Sequence, residues 1–312
     1  MQQSLSGKAK TRPLTPANVT VGRRRWSERG YALLFLGPSL ALLAVFIFWP
    51  MLKTLYMSFF LTDKFGHITV FNGLGNYRSL LQDASYWASL GATLSYVAVV
   101  AVLTIVLGLI LAVAAQQQLK GIGFFKTLFS STMGISVSVA AIFWLFAFNP
   151  SVGVFAQLSQ ALHLPEINWL ADPHFALLAI IITTVWMNLG FTFLILFGAL
   201  QQVPRSLYDA ADVAGVAKRT QFLKVTLPMI SPTLFFVTTV TLIDAFKSFG
   251  LIDLMTAGGP SNATNLLVYR VYQDAFLNGS YAQASTESVV LTLLIAVVTL
   301  VQFKLFGKRV TY

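Results

Sequence analysis

Two groups of residues carry polar side chains at informative spacing, and neither is a catalytic constellation. The first lies in the stretch Gln201 to Pro228, QQVPRSLYDAADVAGVAKRTQFLKVTLP, a long polar interruption between apolar runs. It reads Asp209-Ala210-Ala211, then three residues to Gly215, then nine to Val225, and ends on Leu227-Pro228. The chemistry available here is recognition. Pro204 and Ser206 open a short helix, and Ser206 with Asp209 three residues on has the spacing of a capping box. Asp209, read as first-turn, would meet the positive end of the helix dipole. Ala210, Ala211 and Ala214 make a small-residue face that lets another surface approach. Gly215 ends the helix, because it accepts backbone angles other residues avoid. Thr220 to Val225 forms a second short helix, and Leu227-Pro228 stops it and starts the next apolar helix. Two readings stay open at this point. The stretch is either an ordinary capped connection or a knob that fits a cleft in another protein and transmits its motion.

The second group lies inside apolar runs. Asp244 and Lys247 stand three apart on one helical face. Ionisable groups in a membrane are costly and default to a functional role. Their spacing also allows them to pair with each other, or Lys247 to reach the headgroups. If a phosphate ester passes this way, Lys247 is the group to meet it. Trp186 and Asn188 in the preceding run, and Gln302 in the last, offer a stacking ring and hydrogen bonds to a sugar. The competing reading is an aromatic belt and bonds between helices. His67, His163 and His174 are scattered without ligand spacing, so no metal or catalytic role is assigned to them. Cysteine is absent, which removes disulfides, thiolate metal sites and a cysteine nucleophile. No H-E-x-x-H or nucleophile-elbow pattern occurs in the apolar runs.

The elements that position these residues are membrane helices. Of the 312 residues, 56% are hydrophobic and 10% are charged, against about 25% charged in soluble domains. The mean hydropathy is +0.72. The net charge of +10 sits at the ends of apolar runs rather than on a soluble domain, so nucleic acid is not the partner. Six spans are expected, over about 31–60, 89–115, 124–148, 176–200, 229–251 and 288–305. Pro38 and Pro50 predict kinks in the first. Gly108, Ala112, Gly134, Ser136 and Ser138 predict close helix contacts in the second and third. Basic residues gather in the tail 1–30, around Lys120 and Lys126, in the 201–228 loop and after span six. The positive-inside rule then puts both termini and the loop in the cytoplasm. Nothing alternates as a barrel strand does, so the fold class is all-α and integral to a cell membrane. Two regions follow, a basic tail over 1–30 and a six-helix domain over 31–312.

With topology in place, the loop resembles the cytoplasmic E-A-A-x3-G-x9-I-x-L-P loop of permease subunits of bacterial ABC importers. Asp209 replaces Glu and Val225 replaces Ile. Asp244-Ala245-Phe246, Thr256-Ala257-Gly258-Gly259-Pro260, Thr264, Tyr272 and Ala275-Phe276 resemble a run of the carbohydrate-type permeases, of the maltose and glycerol-3-phosphate kind. Phe148-Asn149-Pro150 and the ending Val301-Gln302-Phe303-Lys304 … Arg309-Val310-Thr311-Tyr312 are most similar to the glycerol-3-phosphate branch. The resemblance runs from about residue 31 to the end. It implies a non-catalytic transport subunit that pairs with a second related permease, with two ATPase subunits below and an extracytoplasmic binding protein above. It implies that Asp209 touches the ATPase, that Ala210, Ala211 and Gly215 shape the knob, and that Leu227-Pro228 joins it to span five. No G-x-x-x-x-G-K-[ST] run occurs, so no cofactor is assigned to this chain, and ATP with its Mg2+ belongs to the partner. The alternative is a secondary transporter driven by an ion gradient, which leaves the loop without a purpose.

Overall fold

The computed structural model describes residues 21–116 and 121–306. Most of the basic tail, Lys120 and the closing Lys308 and Arg309 lie outside the described residues. The chain divides into two units, Met1–Lys53 and Thr54–Tyr312. In the first, helix α1 (Val21–Leu43) continues through a π-helical turn, Ala44–Phe48, into α2 (Trp49–Met57), whose last residues belong to the second. The helix starts ten residues before the apolar run, since arginine extends a helix at little cost. Pro38 lies inside α1. Pro50 has no amide hydrogen for the carbonyl of Phe46, and just before it the Trp49 amide reaches back five residues to Ala44 O. The local widening is the helix accommodating the proline.

In the second unit, the polar segment after the first span holds a hairpin that the sequence analysis did not foresee. Strands β1 (Phe60–Thr62) and β2 (Ile68–Phe71) pair antiparallel, Phe60 opposite Phe71. Helix α3 (Gly75–Gln82) follows, then the long α4 (Ala84–Ala115). Asp83 caps α4, its carboxylate accepting from the Ser85 amide at 2.8 Å. Next come α5 (Ile122–Ser131), a 3-10 turn (Thr132–Gly134), α6 (Val137–Ala147) and α7 (Val154–Ala161). Helix α8 (Pro173–Gln201) is capped by Asp172. Helices α9 (Arg205–Val213), α10 (Lys218–Gln221) and α11 (Leu227–Met229) form the polar loop, with a π-helical turn at Phe222–Thr226. The chain ends with α12 (Ser231–Phe246), α13 (Gly250–Met255), α14 (Leu267–Tyr272), a π-helical turn at Gln273–Leu277 and α15 (Tyr281–Phe306).

Four described helices are long and apolar enough to cross a membrane, and six spans result if two bent pairs count as one each. The third span, expected as one helix over 124–148, is broken. Ile122–Gly134 meets Val137–Ala147 at 111°. The restart is local, for Ser136 is extended and its hydroxyl caps α6. The fifth is bent by 69° between Lys218–Met229 and Ser231–Phe246. Leu227-Pro228 therefore does not start that span, as expected, but ends a separate turn before it. Pro232, near the start of α12, cannot donate to the carbonyl of Pro228. The Ser231 hydroxyl donates to that carbonyl instead, at 2.7 Å. Non-helical backbone at membrane depth survives only where neighbours supply such bonds.

Helices α4 and α8 pack side by side. A side chain at Gly108 would strike Thr192, and Ala112 packs with Phe193. Higher on the same pair, the Tyr96 hydroxyl shares a 2.8 Å bond with Thr184 and donates to Ser248 at 2.8 Å. Gly134, Ser136 and Ser138 do not make the close contacts expected of them. All three are exposed in this chain, and a β-carbon added at Gly134 would meet nothing within 4 Å. Gly190 of α8 is the residue that admits the broken span. A β-carbon there would lie 2.7 Å from Phe129 O and 3.0 Å from Met133 N. A large core, including Tyr96, Phe148, Ile180 and Phe246, fills one part of the bundle, and a second with Phe193, Leu196, Leu200 and Ile230 fills another.

Near the start of α4 a buried arginine ties three helices. Arg270 of α14 donates through Nε to Glu287 of α15 at 2.7 Å, through Nη1 to the Ser85 hydroxyl at 2.9 Å, and through Nη2 to Asp83. Partial burial pushes the Asp83 carboxyl up, but the hydrogen bonds from Arg270 and the Ser85 amide outweigh it and hold the carboxyl below its usual range. The arrangement fixes register more than it adds stability, since desolvation cancels much of the attraction.

Gly190→Ala is expected to destabilise the detergent-solubilised protein by about 1–3 kcal/mol, the cost of overpacking against backbone. Gly91→Ala, where a β-carbon meets nothing within 4 Å, should hold or raise the melting point followed by tryptophan fluorescence.

Candidate functional site: the polar loop and the cleft of the bundle

Helix α9 stands between two ties and ends in a glycine turn. Gly215 is left-handed, at φ +68°. The Val216 amide bonds Ala211 O at 2.9 Å and the Gly215 amide bonds Asp212 O at 3.0 Å, the paired bonds of a Schellman motif. The expected capping box is not formed. Pro204 precedes the first turn without a side-chain cap, and Ser206 lies one residue inside the helix. Asp209 is the fifth helical residue, beyond the first turn, so it does not meet the helix dipole as its spacing predicts. Proline's fixed backbone angle starts this helix instead. Asp209 is exposed, and its carboxylate has no partner among the described residues. Ala210 is exposed beside it, Ala211 is half-buried, and Val213 at the tip is 92% exposed.

The two ties use residues that the sequence analysis passed over. At one end the hydroxyls of Tyr208 and Thr226 share a hydrogen bond of 2.8 Å. At the other, the carboxylate of Asp212 accepts from Lys218 at 2.6 and 2.8 Å and from the Gln221 amide at 2.6 Å. Gln221 is 2% exposed, and the same amide nitrogen also donates to Val216 O at 2.9 Å. The buried amide thus clamps the turn from inside. The hydrogen bond from Lys218, and then that from Gln221, hold the Asp212 carboxyl below its ordinary range. The sequence signal was a carboxylate six residues before a lysine across a glycine turn, which is weak without coordinates.

The candidate pathway residues are divided. Asn188 of α8 and Asp244 of α12 line one cleft of about 340 Å3, shared with Thr132, Ile135 and Val137 of the broken span. Trp186 lies outside that lining. It stacks on Phe143 with centroids 5.7 Å apart and meets Trp144 edge-on. Lys247 is also outside the lining, and among the described residues no ion pair joins it to Asp244. Lys247 is the C-cap of α12, and its amide bonds Asp244 O at 3.1 Å. Gln302 bonds Phe235 O at 3.3 Å and the Thr239 hydroxyl at 3.0 Å, which is a bond between helices. The G-G-P turn is held by Thr264, whose hydroxyl bonds Gly259 O and the Thr256 hydroxyl, each at 2.7 Å.

Apolar spans beside a cleft, two of them bent, with a polar loop between α8 and α12, make this a multi-pass membrane protein. The chain belongs to the family of inner membrane components of binding-protein-dependent transport systems, whose model matches residues 104–312. It is 36% identical over 282 residues to the sn-glycerol-3-phosphate transport system permease protein UgpA of Agrobacterium fabrum, covering 89% of this chain and 95% of that one. To the protein of the same name from Yersinia enterocolitica it is 35% identical, covering 88% and 93%. The fold is similar to that of a chain in the crystal structure of a bacterial ABC transporter that imports the acidic polysaccharide alginate. That match has a TM-score of 0.80 at 20% identity and covers 93% of this chain and 100% of the other.

Gln221→Ala should raise hydrogen exchange at the Gly215 and Val216 amides by about 5–30-fold at neutral pH, the effect of losing one or two hydrogen bonds. Because the Asp212 pKa is lowered in the folded chain, its contribution is full above the ordinary carboxylate pKa and is lost as pH falls through the lowered value. Asp212→Asn should therefore loosen the turn at pH 7 and abolish any further acid step. Unchanged protection in both variants would show that the clamp does not hold the turn.

Proposed function

We propose that the 206–228 loop is the element through which this permease subunit couples to a separate ATPase. The observation that carries the reading is the shape of α9. It is a short helix ended by a left-handed Gly215, latched at both ends, with Asp209, Ala210 and Val213 presented outward. Asp209 is the group offered to a basic residue of the ATPase, Ala210, Ala211 and Gly215 give close approach, and Leu227-Pro228 carries movement through the bend into α12. Arg205, Lys218, Arg219 and Lys224 on the loop support a cytoplasmic placement under the positive-inside rule, with both termini on the same side. ATP and Mg2+ are then bound by the partner and not by this chain, whose role is non-catalytic.

The machine has a second related permease, a pair of ATPase subunits and an extracytoplasmic binding protein. Support comes from a second solved structure, of a bacterial alginate ABC transporter in complex with a periplasmic protein holding an alginate pentasaccharide, with a TM-score of 0.74 at 20% identity. The solute is of the sugar or sugar-phosphate kind, an oligosaccharide or glycerol 3-phosphate. The names of the relatives favour the latter. Asn188 and Asp244 offer hydrogen bonds to hydroxyl groups in the cleft, while Trp186 and Lys247 act from outside it. Broken spans also occur in gradient-driven transporters, but family membership decides against that alternative.

The test is co-purification of the tagged chain in mild detergent from its host, with ATP hydrolysis measured beside Asp209→Arg and Gly215→Leu. A wild-type complex with hydrolysis, and at least tenfold loss in each variant, is expected; a leucine at Gly215 is strained by its left-handed φ. A folded wild-type chain that comes down alone, with uptake persisting when ATP is depleted and the ion gradient kept, would contradict the coupling.

A further inference from the structure

A basic cleft of about 560 Å3 opens beside the root of the loop, lined by the ends of α4 and α8, by α5 and by the first turn of α9. Its charged lining residues are Lys126 and Arg205, and no carboxylate lines it. Both cations lack an ion-pair partner among the described residues, although Asp209 lies one helical turn from Arg205. The Lys126 ammonium lies 4.3 Å from the centre of the Phe197 ring, a cation–π contact that favours its position over the cleft. Arg205 is the first residue of α9, whose first turn carries no acidic residue and no side-chain cap. A cation on the positive end of a helix dipole is the unfavourable arrangement, and an anion seated there would reverse its sign. The opposite helix end is partly neutralised, since Gln116 donates to Leu200 O at 3.0 Å. Apolar Leu200 and Phe197 complete the wall.

We propose that this cleft binds a phosphate monoanion or diester, and that its source is the headgroup of an anionic phospholipid. Ala115 and Gln201 end two candidate membrane spans, so the cleft lies where headgroups lie. A volume of this size is in the range of small-molecule sites, about 300–1,000 Å3. Basic pockets between helices at a membrane boundary are suited to such headgroups. The two cations clamp the phosphate at the start of α9, and the glycerol backbone lies on Phe197 and Leu200. The site stands on this geometry alone and does not require the loop to be a coupling element. Its position means that an occupied cleft would hold the root of α9 against α5 and α8.

The full-length chain in a zwitterionic detergent is examined by native mass spectrometry with added phosphatidylglycerol or phosphatidylcholine. Retained phosphatidylglycerol, lowered about fivefold by Lys126→Gln and again by Arg205→Gln, is expected at roughly the worth of one cation each. Lys126→Arg should restore it, and an unshifted melting point shows that the variants are folded. Inorganic phosphate added as competitor separates the sources. Displacement of the lipid at millimolar phosphate would assign the cleft to a free anion of the same chemistry, and persistence assigns it to lipid. Equal retention of phosphatidylcholine, or no difference between wild type and the double variant, would overturn the proposal. If the double variant does not fold, the single Lys126→Gln and its arginine counterpart decide the matter alone.

Discussion

The close contact of α4 with α8 is the interaction on which the rest of the molecule depends. It exists because Gly108 has no side chain where Thr192 sits, and because Ala112 is small where Phe193 packs. In lipid there is little hydrophobic drive between helices, so approach distance and packing decide association. The two helices then serve as a straight frame from which the bent elements hang. Gly190, two residues before Thr192 on α8, admits the broken third span. Tyr96, reaching from α4 to Thr184 and Ser248, fixes the end of α12. The far end of α8 leads directly into the polar loop, so a movement of that loop bears on the frame itself.

The apolar solvent also explains how the irregular backbone is tolerated. Each break is accompanied by a local substitute for a missing bond. Ser136 caps the restart of α6, and Ser231 covers the carbonyl that Pro232 leaves free. The π-helical turns before Pro50 and Pro228 shift amides to carbonyls five residues back, at Ala44 and Phe222. Bends secured in this way leave fewer polar groups open to lipid. The bend at 69° lies between the loop and α12, and α12 carries Asp244 into the cleft. The chain thus runs from Val213, 92% exposed in the loop, through that bend to the wall of the cleft. At the start of α4, Arg270 supplies a rigid counterpart by joining α4, α14 and α15.

Much of this was legible in the sequence. Apolar runs marked where the spans lie, six if each bent pair counts as one, and the spacing from Asp209 to Pro228 marked the loop before any coordinates. Asn188 and Asp244 do meet in one cleft. What could not be read was geometry that depends on partners distant in sequence. Nothing in the run 124–148 signals a break of 111°, because the residue that permits it, Gly190, is on another helix. The buried pairing of Arg270 with Glu287 and Asp83 spans nearly two hundred residues. The capping-box spacing of Ser206 and Asp209 misled for a local reason, as Pro204 sets the helix start at Arg205, one residue before Ser206. Asp212 and Gln221 were invisible because a left-handed glycine brings them together.

The central claim is that the tip of α9 lies inside a cleft of an ATPase subunit. The chain has no cysteine, so a Val213→Cys variant carries one thiol, at a residue that is 92% exposed. A short thiol-to-amine cross-linker applied to membranes of the host should join this residue to an ATPase subunit identified by mass spectrometry. The yield should change between nucleotide-free and ATP-bound states as the cleft moves. A cross-link of equal strength from Phe65→Cys in the hairpin, or none from position 213 despite full labelling of the thiol, would contradict the account.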